Sequence, residues 1–110
     1  MFTSVSTPEE FRQFLKNERA VTVFFSGDSC HVCHALMPKA DHILREHFPE
    51  MKRIGVNVAE AAELAVQNSV FTVPALIVFF DGREFLRKTG SFSLAELQAR
   101  IDRPYRLMFS

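Results

Sequence analysis

Two runs of the chain, Ala20-Val21-Thr22-Val23-Phe24-Phe25 and Ala75-Leu76-Ile77-Val78-Phe79-Phe80, pass six positions each without a charge. A strand with one wet face alternates apolar and polar residues, whereas an unbroken β-branched and aromatic run belongs to a strand covered on both faces. A fold that accepts these runs must therefore lay helices over both sides of one sheet. The rest of the sequence has to supply those helices.

It does so in alternation. Phe2 to Val5 reads as a short edge strand. Thr7-Pro8-Glu9-Glu10 is a capping box with proline at the first helical position, and Phe11, Phe14 and Leu15 share one face of a helix over about residues 8 to 18. After the first buried run, Ser26-Gly27-Asp28-Ser29 breaks the strand, and from Cys30 to His47 the apolar residues Val32, Leu36, Ala40, Ile43 and Leu44 recur near helical period. Pro38 should kink this helix rather than prevent it. Residues 53–58 alternate as a strand, and residues 60–67 form a short helix. Asp81-Gly82 turns the second buried run into a hairpin with residues 83–89. Ser93-x-x-Glu96 opens a last helix with Leu94, Leu97 and Ile101 on one face, and Pro104 is expected to end it, leaving Tyr105, Leu107, Met108 and Phe109 in a tail packed on the core. The order predicts an α/β sandwich: a central mixed sheet of four to five strands, helices on both faces, a parallel section and one antiparallel edge.

At 110 residues the chain suits one core, and residues 1–110 are expected to form a single domain. That core leans on 12 phenylalanines, with no tryptophan present. Thirteen basic side chains balance thirteen acidic ones, which leaves no electrostatic footprint for nucleic acid or an anionic membrane surface. The first residues carry no basic segment followed by an apolar stretch, and no window approaches the ~20 apolar residues of a membrane span. A cytoplasmic monomer is the expectation.

The chain has two cysteines, in Cys30-His31-Val32-Cys33-His34. In the cytosol such a pair is no structural framework, because thiols there are kept reduced, so reactivity or metal binding is the natural reading. Cys30 stands where a buried strand turns into a helix, and the free N–H groups and dipole of a helix N-terminus favour a thiolate, below the free-thiol pKa of about 8.5. Cys33, one turn on, shares its face and can close a small disulfide ring. Thiol exchange then gives Cys30 the part of nucleophile and Cys33 that of resolving thiol. Two inert core cysteines are the plainest alternative. Read as C-x-x-C-H, the motif would instead attach haem, with His34 and Met37, Met51 or Met108 as axial ligands, but nothing in the sequence provides an export route. Zinc would need Cys30, Cys33, His34 and His42, and the two histidines lie eight positions apart along a helix, too far to meet one ion. No metal is expected.

The cysteine segment together with Thr72-Val73-Pro74 and the buried run after it resembles the thioredoxin family over about residues 3 to 103. Four features match in order: Cys30-x-x-Cys33 heading a helix, Pro38, Val73-Pro74 before the strand, and Gly90 after the hairpin. The resemblance implies the thioredoxin fold, a cis Pro74 against the cysteine pair, and a Val73 backbone that pairs with a substrate strand. It also implies a thiol-disulfide oxidoreductase whose partners are protein disulfides and a reductase that recharges the dithiol, with no cofactor beyond a redox-active Cys30–Cys33 disulfide. The departures are specific. The family's reductases carry tryptophan before the first cysteine and Gly-Pro between the two, where this chain has Ser29 and His31-Val32. Their buried aspartate and lysine, which help the resolving thiol lose its proton, fall on Phe24 and Gly55, so the relay is absent. His34 and Asp28 are the nearest substitute proton acceptors. His31, with Val32 beside it, tunes the pair: a charged imidazole would stabilise the Cys30 thiolate and make the couple more oxidising than the thioredoxin range near about −270 mV. A thioredoxin fold that holds partners with little turnover is the competing function, and a metal or haem carrier on the same thiols a third.

Overall fold

The computed structural model describes residues 2–110. The chain runs β1 (Thr3–Ser4), α1 (Pro8–Asn17), β2 (Ala20–Ser26), α2 (His31–His47), β3 (Lys52–Asn57), α3 (Ala62–Gln67), β4 (Ala75–Phe80), β5 (Arg83–Thr89) and α4 (Leu94–Phe109). The strands form one mixed sheet in the order β1-β3-β2-β4-β5. The two uncharged runs are β2 and β4, lying side by side within it, with Val23 opposite Ile77 and Phe25 opposite Ala75.

Side-chain alternation along these strands builds two cores. Val21, Val23, Phe25, Ala75, Ile77 and Phe79 point to a layer closed by Phe11 of α1 and Leu64 and Ala65 of α3. Ala20, Phe24, Leu76 and Val78 point the other way, to Ala40 and Leu44 of α2 and Leu97, Ile101 and Tyr105 of α4. Both faces are thus dry, which is why neither strand has room for a polar alternation.

The expected single antiparallel edge is corrected. β1, β3 and β2 are parallel, but β4 is antiparallel to β2 in the interior of the sheet, and β5 is antiparallel to β4. Helix length is the reason. The 17 residues of α2 rise about 25 Å, enough to carry the chain back along β2 and start β3 in the same direction. The six residues of α3 rise only about 9 Å against roughly 20 Å for a six-residue strand, so the chain enters β4 from the end where β3 stopped.

The expected stop at Pro104 is also corrected, since α4 continues to Phe109. Proline removes one backbone donor, and tertiary contacts carry the helix past it. Tyr105 is buried, its ring 5.0 Å from Phe48 and 4.8 Å from Phe109, and its hydroxyl accepts the Glu50 N–H at 2.9 Å. Arg19 lies over the Phe109 ring and donates to the Met108 carbonyl at 3.2 Å. Residues 105–109 are therefore helix packed on the core, with Leu107 left outside. The β4–β5 hairpin follows its dipeptide: Asp81 and Gly82 have φ of 52° and 76°, the left-handed pair a two-residue turn of this hand requires.

Candidate active site

The parallel strands β2 and β3 end on one rim of the sheet, and β4 begins there, so the loops after β2 and β3 and the loop before β4 meet. Cys30 comes off the first of these as the N-cap of α2. Its N–H donates to the Gly27 carbonyl at 3.2 Å and its Sγ accepts the Cys33 N–H at 3.1 Å. This is the sulfur a helix N-terminus would stabilise as an anion. The Cα atoms of Cys30 and Cys33 are 5.2 Å apart and the two sulfurs are joined as a disulfide. Cys30 is half-buried, while Cys33 is 1% exposed within the layer that holds Phe24 and Leu76.

The neighbouring positions sort by exposure. His31 and Val32 project outward from the first turn of α2. His34 is also exposed, with Nε2 3.2 Å from the Asp28 carbonyl oxygen. The Asp28 carboxylate turns to β3 instead, accepting from Asn57 Nδ2 at 2.7 Å. The Val73–Pro74 peptide bond is cis, Pro74 is buried, and its carbonyl accepts the N–H of Gly90, whose φ of 68° suits glycine. Val73 is half-buried and lines, with Gly27, Asp28, Ser29, Cys30 and Ala59, an open depression of about 560 Å³. Among the described residues no group of three or more His, Cys, Asp and Glu side chains gathers to hold a metal ion.

Beneath the disulfide the site is apolar. Phe24 is fully buried and stands opposite Gly55 in the β2–β3 register. The Phe2 ring lies 5.6 Å from that of Phe24, and a Cβ on Gly55 would come within 3.2 Å of the Phe2 Cβ. Two phenylalanines thus pack together where β2 and β3 carry Phe24 and Gly55, and neither position bears an ionisable side chain.

Asn57 and Phe2 escaped the sequence reading. Asn57 ends β3, and besides bonding Asp28 its Oδ1 accepts the Ala59 N–H at 2.9 Å, fixing the loop that forms one wall of the depression. An asparagine at a strand end, two residues before a free N–H, is the available signal. Phe2 gives none, because its role depends on a strand 50 residues away.

A family model described as Thioredoxin matches residues 2–103. The Bacillus subtilis protein named thioredoxin-like protein YdfQ is 35% identical over 105 residues, 96% of this chain and 93% of its own. Thioredoxin C-2 of Corynebacterium nephridii is 30% identical over 102 residues, 91% of this chain and 94% of its own. Among solved structures, a thioredoxin from Trypanosoma brucei brucei superposes with a TM-score of 0.86 at 19% identity, covering 96% of this chain and 92% of that one, a likeness of fold.

Proposed function

The chain belongs to the thioredoxin family, a family of thiol-disulfide oxidoreductases, and from that premise we propose that it reduces protein disulfides in the cytoplasm by dithiol exchange at Cys30 and Cys33. In the reduced protein the Cys30 thiolate attacks one sulfur of a substrate disulfide. That bond breaks, one substrate thiolate leaves, and a mixed disulfide forms. Cys33 then loses its proton and attacks the Cys30 sulfur, releasing the second substrate thiolate and closing the Cys30–Cys33 disulfide. Proteins of this family act on protein disulfides and are recharged by a reductase. Here that reductase would return two electrons and two protons, and the chain would need no cofactor of its own.

The observation that carries the reading is Cys30: half-buried at a helix N-terminus, its sulfur accepting the Cys33 N–H at 3.1 Å, and lining a depression shared with Val73. Val73 and Pro74 would hold the substrate chain as an added strand, and His31 and Val32 would tune the pair. One observation favours the competing reading of a slow, partner-holding module, namely that Phe24 and Phe2 pack together in the layer that holds Cys33, with no ionisable side chain at residue 24 or 55. Dithiothreitol-driven reduction of insulin decides between them. The wild type should turn over and Cys30→Ser should not; equal, negligible rates in both would sink the enzyme reading.

A further inference from the structure

Phe71 is 77% exposed, the highest value among the exposed large apolar side chains of the described residues. It is not a loose end. Val70 before it is buried and donates its N–H to the Ala65 carbonyl at 2.8 Å. The carbonyls of Asn68 and Ser69 accept from the Arg87 guanidinium at 2.8 and 3.0 Å, and Glu84 holds that guanidinium in turn. On the other side Pro74 is buried and tied to Gly90 at 2.9 Å. A loop fastened at both ends thus presents an aromatic ring to water, where the fold itself gains nothing from it.

Its place is specific. Two residues on, Val73 lines the depression beside Cys30, and at about 3.6 Å per residue the Phe71 backbone lies within about 7 Å of the Val73 backbone. Residues 70–74 carry no charge, and Arg87, which fastens the start of the loop, is paired with Glu84. A segment lying in the cysteine groove would therefore meet an apolar contact on this side, across the depression from the Asp28 carboxylate that Asn57 holds.

We propose that Phe71 is a specificity-determining contact, packing on an apolar side chain beside the substrate cysteine that Cys30 attacks, so that the protein favours disulfides flanked by apolar residues. This rests on the oxidoreductase reading above. A second copy of the chain is the weaker occupant, because one phenylalanine covers about 150–250 Å², far below the roughly 800 Å² per partner of a stable interface.

The test uses the pre-reduced full chain as wild type, Phe71→Ser and Phe71→Leu. Its probes are a disulfide-bonded peptide with leucine on both sides of the reactive cysteine, the same peptide with serine there, and hydroxyethyl disulfide. The wild type should reduce the leucine peptide about five- to tenfold faster than the serine peptide. Phe71→Ser should bring that ratio near one and Phe71→Leu should keep most of it, while all three proteins reduce hydroxyethyl disulfide equally. A preference that survives in Phe71→Ser, or is absent from the wild type, overturns the inference and leaves the oxidoreductase reading standing. Failure of all three on hydroxyethyl disulfide overturns both. A wild-type dimer that dissociates in Phe71→Ser assigns the ring to a second copy and overturns the inference alone.

Discussion

Of the two cysteines, Cys30 is half-buried and Cys33 is 1% exposed among apolar side chains, so the second must lose its proton out of contact with water. The second step of exchange should therefore be the pH-sensitive one. In single turnover with a chromogenic small disulfide, release of the second thiolate is expected to speed up with rising pH, because Cys33 must give up its proton before it attacks; a rate that does not change with pH would overturn this. Cys33→Ser should trap mixed disulfides that the wild type clears. At the outer sulfur, His31→Ala should make the couple more reducing, and a wild-type potential at or below about −270 mV would remove the role given to His31. Cys30 and Cys33 were legible from a local pattern of strand end and helix start, whereas Val73 and Pro74 were placed at the site only by the resemblance to the thioredoxin family. Asn57 and Phe2 were not legible, since Asn57 meets Asp28 only once β3 pairs with β2, and Phe2 meets Phe24 only once β1 has also paired with β3.

At the level of elements, local rules named every helix and strand and failed where length or tertiary contact took over. Pro104 read as a stop, yet Tyr105 holds α4 to the segment before β3. Tyr105→Phe keeps the ring and loses the bond to the Glu50 N–H, so it should lower unfolding stability by about 1 kcal/mol with an unchanged denaturant slope. The α3–β4 loop depends on the Glu84–Arg87 pair. The Arg87 guanidinium bonded to Glu84 holds that carboxyl below its ordinary value of 4.5. Because the folded form binds the proton less readily than the unfolded chain, the pair stabilises above about pH 4.5 and that contribution is lost as pH falls through the lower folded value. Both side chains are partly exposed, so Glu84→Gln should cost less than about 1 kcal/mol at pH 7, and the difference from wild type should vanish in strong acid.

For the molecule as a whole, the sheet separates two packed layers, and damage on one side should not propagate to the other. Ile77→Val and Ile101→Val fall in different layers. Each is expected to cost about 0.5–1.5 kcal/mol, and the double variant should equal their sum within about 0.5 kcal/mol; a larger coupling would mean that the layers repack together. The two-sided burial of β2 and β4 made the layering readable from sequence, but strand order was not, because it depends on how far each connecting helix reaches. The same sheet also bears on how the protein behaves in crowded solution. Its two outer strands are poor templates for a neighbouring chain: β1 is two residues long, and β5 is interrupted by an irregular step opposite Val78 and Phe79 and carries Arg83, Glu84, Arg87 and Lys88. Fibril-like stacking along the sheet is thereby discouraged at both of its edges, one by brevity and the other by charge and an irregular register, so copies of the folded chain have no ready template on which to add to one another.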